Sequence, residues 1–164
     1  MPRPIPQTQH AKPAGDPGGY ADRVRQVFSD HLASHGLRLT AQRTAIVDHL
    51  LRSGRHESLE EVYAAVKRSG IGRATVFRTL RMLEECSLVS AIADPKGTKR
   101  FELDLERPHH DHLICVRCGR IQEVHWPKLE KIQQTVCREM EFTPQWHRHE
   151  IFGLCAACEE GKPR

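Results

Sequence analysis

Between His109 and Cys118 the chain reads HHDHLICVRC, which places three imidazoles, a carboxylate and two thiols within ten residues. Every one of these groups is a metal donor, and two cysteines separated by two residues can reach a single ion. A second Cys-x-x-Cys follows at Cys155 and Cys158. Four thiolates suit a tetrahedral site with no open position, so Cys115, Cys118, Cys155 and Cys158 are expected to hold structural Zn(2+). Cys86 and Cys137 have no spacing partner and are expected to pack in or beside the helices that carry them.

The histidines address a different ion. Leu113, Ile114 and Val116 give this stretch the character of a β-strand, and Gly119 supplies a turn after it. Alternation along a strand sends His110 and His112 one way and His109 and Asp111 the other. One face, completed by Glu102 before a hinge and His56 further upstream, gives an imidazole and carboxylate set that accepts ferrous iron, manganese or zinc. The other face, completed by Glu130 and His147, gives a second such set. Glu123, His125 and His149 lie nearby and are expected to face solvent.

These donors need a scaffold, and 164 residues allow one ordinary domain or two small ones. Residues 1–19 hold five prolines and three glycines with little to bury, the composition of a disordered tail. Residues 20–103 read as a DNA-binding domain. Val24, Val27, Phe28 and Leu32 recur at helical spacing up to Gly36. Thr40 caps a second helix carrying Ile46, Val47, Leu50 and Leu51 as far as Gly54. Ser58 with Glu61 opens a third helix as a capping box, its apolar side formed by Leu59, Val62, Tyr63 and Val66 until Ser69 and Gly70 break it. A fourth, over residues 73–86, turns Val76, Leu80 and Leu83 inward and Thr75, Phe77, Arg78 and Arg81 outward. A basic face bearing an aromatic ring suits a helix that reads DNA. Two strands, residues 88–93 and 98–103, flank an Asp94-Pro95-Lys96-Gly97 turn with Lys99 and Arg100 close behind. Short helices followed by such a basic hairpin are the layout of a winged helix.

Residues 104–108 read as a hinge, and 109–160 as a small α+β domain. The latter has strands at the histidine cluster, at residues 120–124 and at 144–154, and a helix opened by Pro127 with Leu129, Ile132, Val136 and Met140 along its apolar side. Residues 161–164 form a C-terminal tail. The formal net charge of +4 permits nucleic-acid binding. With no signal-peptide core and no apolar run near 18 residues, the chain is expected to be cytoplasmic, where paired cysteines hold metal more often than they form disulfides.

In order along the chain, LRLTAQRTAI, HESLEEVY, GRATVFRTL, KRFELDLE, HHDHLICVRCG and HEIFGLCAAC resemble the ferric uptake regulator family of bacterial metal-dependent repressors, over about residues 20–160. The resemblance implies a homodimer of winged-helix domains joined through α+β dimerisation domains, binding a palindromic double-stranded operator when metal is bound. It implies structural zinc on the four paired cysteines, a regulatory site at His56, Glu102, His110 and His112, and an additional site at His109, Asp111, Glu130 and His147. On the DNA side Arg38 matches a residue that enters the minor groove and Phe77 and Arg78 match the recognition pair, with Arg43, Thr75 and Lys96 beside them. Two positions depart from the family pattern: Phe77 stands where tyrosine is usual, and the spacing from Glu102 to the histidines is one residue longer than the commonest. Zinc-sensing relatives place a cysteine near the end of the wing and peroxide-sensing relatives use aspartates where Glu102 and Glu123 stand, so Fe(2+) is the expected regulatory ion, with Mn(2+) and Zn(2+) as alternatives. The chain is therefore expected to be a repressor and not an enzyme, with no membrane partner and no small organic substrate. A metal-buffering protein and a thiol redox enzyme are the rival classes, and neither accounts for a DNA reader upstream of the ligands.

Overall fold

The computed structural model describes residues 17–105 and 109–161. The chain divides into two compact units, the division falling between Leu105 and His109 of the described residues. Residues 1–16 of the expected tail, 106–108 of the expected hinge and 162–164 at the C-terminus lie outside the described residues.

The N-terminal unit begins with α1 (Pro17–Ser34) and α2 (Ala41–Ser53), followed by β1 (Glu57–Ser58), α3 (Leu59–Val66) and α4 (Arg73–Glu85). It ends with β2 (Val89–Ala93) and β3 (Lys99–Leu103). Local chemistry sets the boundaries. Thr40 accepts a hydrogen bond from the Arg43 amide at the start of α2, and Gly54, at φ 56°, ends that helix in the left-handed conformation that costs glycine nothing. Ser58 and Glu61 close a reciprocal capping box on α3. One core joins the helices to the sheet, with Phe28, Leu32, Ile46, Val47, Val62, Val76, Leu80 and Leu83 buried in it. The sheet has the order β1-β3-β2, and the hairpin of β2 and β3 is the wing, so this unit is a winged-helix domain.

Three details differ from the sequence expectation. Helix α1 starts at Pro17 rather than residue 20, proline being well suited to a first helical turn where no amide partner is needed. Val27 is 38% exposed, outside the stripe that Val24, Phe28 and Leu32 bury. Strand β1 is also new: at two residues it is too short to show any periodicity.

The C-terminal unit contains β4 (Asp111–Cys115), β5 (Ile121–Val124), α5 (Pro127–Glu139), β6 (Glu150–Gly153) and α6 (Ala156–Glu159). Its sheet runs β5-β4-β6, with β4 antiparallel to β5 and parallel to β6. The last strand is much shorter than the expected 144–154. The parallel ladder pairs His112 with Glu150, and β4 begins at Asp111, so the residues before His149 have no ladder to join. Helix α5 buries none of its residues against its own chain. Together the units make an α+β protein, and no helix among the described residues is long and apolar enough to cross a membrane.

Candidate metal centres and nucleic-acid interface

Parallel pairing of β4 with β6 sorts the donors of the C-terminal unit. Two parallel strands start at one end of a sheet and finish at the other. The residues after their C-terminal ends, Cys118, Cys155 and Cys158, therefore meet Cys115 at one end, while the histidines before each strand meet at the opposite end. The four sulfurs lie within 4.8 Å of one another. A tetrahedron with metal–sulfur bonds of about 2.3 Å has edges near 3.8 Å, and Cys118 Sγ and Cys155 Sγ are 3.8 Å apart. All the cysteines carry free thiols. The electrostatics are those of a cluster short of positive charge. Amides of Cys118 and Cys155 pointing at the sulfur bring the Cys115 thiol down to about 6, whereas burial and its neighbouring sulfurs push Cys158 up to about 12. A dication among them lets all four ionise, and the donor set fits structural zinc. Cys86, half-buried after α4, has its thiol raised by burial, as suits a packing residue.

At the other end of the sheet, one ligand atom from each of His109, Asp111, Glu130 and His147 falls within 4.8 Å of the others. The step of 38 residues that relates His112 to Glu150 also relates His109 to His147, and their ring centroids are 4.1 Å apart. His109 Nε2 is 3.2 Å from Asp111 Oδ1 and 3.6 Å from Glu130 Oε1, and His147 Nε2 is 3.1 Å from the same Glu130 oxygen. Asp111 is only 2% exposed, and its Oδ2 has no hydrogen-bond partner. A buried carboxylate oxygen left open beside a second carboxylate asks for a cation, and this set of oxygen and nitrogen donors fits a divalent one. Among the spare groups, His125 Nδ1 meets the His109 carbonyl at 3.2 Å and the His149 ring touches the Gln133 amide. Neither of these, nor exposed Glu123, enters the cluster.

The remaining donors are arranged in two pairs. In the N-terminal unit the β1–β3 register, Glu57 opposite Phe101 and Ser58 opposite Arg100, continues to set His56 opposite Glu102. Their side chains meet at 3.0 Å, with Glu102 only 2% exposed. On its other side the β2 register puts Ser90 opposite Glu102, and the Ser90 hydroxyl donates to Glu102 Oε1 at 3.3 Å. In the C-terminal unit the rings of His110 and His112 stand edge to face with centroids 4.8 Å apart. Ser90 was not legible as a site residue, because only the strand register brings it to Glu102.

The prospective DNA face is uneven. On α4, Phe77 is 52% exposed and Arg78 is exposed beside it, with Thr75 half-buried. Arg38 is exposed, and its carbonyl accepts from the Arg43 guanidinium. Lys96 sits at the wing tip, where its amide and that of Thr98 donate to Asp94 Oδ1 at 2.9 Å. The two other basic residues of the wing are engaged by helix carboxylates. Lys99 pairs with Glu84 at 3.0 Å and Arg100 with Glu61 at 2.8 Å.

The ferric uptake regulator family model matches residues 34–152. The ferric uptake regulation protein of Campylobacter jejuni is 34% identical over 147 residues, 87% of this chain and 93% of that protein. The peroxide-responsive repressor PerR of Staphylococcus epidermidis is 34% identical over 131 residues, 79% of this chain and 86% of that protein. Among solved structures, the ferric uptake regulator of Helicobacter pylori, with three functional metal-binding sites, superposes with a TM-score of 0.78 at 28% identity, covering 85% of this chain and 93% of that one. A winged helix followed by an α+β unit that gathers four cysteines at one end of its sheet agrees with these matches. The chain belongs to the ferric uptake regulator family of metal-responsive transcriptional repressors.

Proposed function

We propose that this protein is a ferrous-iron-responsive repressor that binds a palindromic operator as a homodimer, with structural zinc on Cys115, Cys118, Cys155 and Cys158. His56, Glu102, His110 and His112 hold the regulatory ion, and His109, Asp111, Glu130 and His147 hold an additional one. The observation that carries the reading is the His56–Glu102 pair, 3.0 Å apart on the sheet of a winged-helix domain, in a ligand set free of thiolate. When bound, the divalent ion supplies the positive charge and coordination bonds that make these side chains a single rigid group.

His56 and Glu102 belong to the DNA-reading unit, and His110 and His112 to the unit that dimerises. Ligands from both units that share one ion fix the reading heads of a dimer at the separation of operator half-sites, one DNA turn or about 34 Å. Changing a mostly inactive population into a mostly active one requires the four ligands to favour the DNA-competent arrangement by about 5.5 kcal/mol. The homodimer is supported by α5, where Ile132, Val136 and Met140 are 60%, 50% and 74% exposed along one apolar side. Arg38, Arg43, Thr75, Phe77, Arg78 and Lys96 face DNA, with Arg43 also donating to the Arg38 carbonyl. A repressor that reads operator DNA works in the cytoplasm, where that DNA lies.

Affinity selection from a randomised DNA duplex pool tests the reading. Zinc-loaded protein with anaerobic Fe(II) should enrich a palindrome. His110→Ala should lose the iron dependence while keeping its zinc. Enrichment that ignores iron in the parent protein would refute iron control, and a response to Mn(II) or Zn(II) alone would reassign the ion. The likeness to PerR favours a second reading, in which hydrogen peroxide is sensed through iron-driven oxidation of a ligand histidine. Peptide mass spectrometry for an added oxygen on the fragment containing His110 and His112, after peroxide treatment of the iron-loaded protein, decides between the two.

A further inference from the structure

We infer that Arg100 is the positioning residue through which the regulatory ligands act on the wing. The inference rests on the assignment of His56 and Glu102 as metal ligands. Arg100 lies two residues before Glu102 on β3 and shares its face, opposite Ser58 in the register that sets His56 opposite Glu102. Its guanidinium reaches three separate structures. Nη1 donates to the His56 carbonyl at 3.3 Å and to Glu61 Oε2 at 2.8 Å, and Nε lies 3.8 Å from Asp94 Oδ2.

Each contact has a distinct consequence. The His56 carbonyl belongs to a ligand residue, so a shift of the His56 backbone moves the acceptor that Arg100 grips. Asp94 is the residue that shapes the wing turn, since its other oxygen accepts the Lys96 and Thr98 amides. Glu61 also accepts the Ser58 amide at 2.7 Å in the capping box of α3, which anchors the guanidinium to a fixed helix end. Only a planar fork can donate to a carbonyl and a carboxylate while its Nε edge lies against a second carboxylate as an ion pair, so lysine cannot replace it. Ordering of His56 by its ion is thereby passed to the backbone that carries Lys96.

Hydrogen–deuterium exchange of full-length, zinc-loaded protein with and without Mn(II) tests this, read on the peptide spanning residues 94–103. In the parent protein Mn(II) should slow wing exchange by about fivefold or more, the lower range of typical allosteric coupling. In Arg100→Gln, Mn(II) should still bind by calorimetry yet leave wing exchange unchanged. A purely structural role for Arg100 would instead raise wing exchange equally with and without Mn(II). Arg100→Lys, which keeps the charge, provides the same test if the glutamine variant does not fold. Glu102→Gln should also abolish the Mn(II)-dependent protection, which separates this ion from one bound elsewhere. Equal Mn(II)-dependent protection in the parent and both Arg100 variants overturns the inference and leaves the ligand assignment standing. Protection that survives Glu102→Gln overturns the ligand assignment itself, and the inference with it.

Discussion

Removing the zinc should unfold the C-terminal unit and spare the winged helix. Cys118→Ser is the perturbation of choice: Cys118 is exposed whereas Cys115 and Cys158 are buried, so the substitution deletes a ligand without opening a cavity. Besides cysteines, Ile114 is the one buried apolar side chain among the described residues of this unit. Burying an isoleucine contributes about 1.5–3 kcal/mol. The cross-link from Cys118 to Cys155 closes a loop of 37 residues, and the chain-entropy relation puts such a closure at about 4 kcal/mol. Structural zinc sites in small domains contribute about 10–16 kcal/mol in all at neutral pH. The metal link therefore exceeds the burial of Ile114, the one buried non-cysteine apolar side chain among the described residues of this unit. Metal content by elemental analysis, with hydrogen exchange followed on peptides from both units, provides the assay. Amides of β4 and β6 should lose protection in the zinc-free variant, while α2, α3 and α4, which share a separate core, keep theirs. Persistence of β4 and β6 protection in protein verified to lack zinc would refute the argument that thiolate ligation holds this sheet together.

Three further outcomes follow from named contacts. Arg78→Ala should weaken binding to a selected duplex by about 1–3 kcal/mol, the worth of a specific base contact, whereas Lys99→Ala should change it little because Lys99 is paired with Glu84; fluorescence anisotropy measures both. Placing aspartate at Ile132 and Val136 together should convert the protein to monomer in analytical ultracentrifugation without unfolding the winged helix, since neither side chain is buried in its own chain. Acid should weaken the wing turn through Asp94. Burial would raise its carboxyl, but the Thr98 and Lys96 amides and then Arg100 outweigh that and hold it below the ordinary carboxylate range. A carboxyl with a depressed folded-state pKa stabilises fully above its unfolded value and loses that contribution as pH falls through the folded one. Asp94→Asn should therefore flatten the loss of thermal stability below about pH 4, as calorimetry over an acid pH series would show.

Much of this arrangement is legible in the sequence because it is written in local chemistry. The capping box of Ser58 and Glu61, the left-handed glycine after α2 and the apolar stripe of Val76, Leu80 and Leu83 each follow from a few neighbouring residues. Donor type and alternation along β4 likewise separate soft thiolates from harder imidazoles and carboxylates. What stays hidden is pairing between distant segments. Strand β1 exists because β3 lies beside it, and only their register brings His56 to Glu102, with Ser90 on the other side and Arg100 one step away. The engagement of Lys99 and Arg100 is equally non-local, since Glu84 and Glu61 reach them from two helices.

The C-terminal sheet shows how far one such pairing extends. Had β6 run antiparallel to β4, Cys155 and Cys158 would have emerged at the end where His109 lies, and neither a four-thiolate site nor the cluster of His109 with His147 could form. The parallel ladder requires a long return between the strands, and α5 lies within that return. A helix serving as a connection is free to leave its apolar side uncovered by its own sheet, which is the condition of Ile132, Val136 and Met140. Sorting of the two donor clusters and the uncovered apolar side of α5 are thus consequences of the same strand direction.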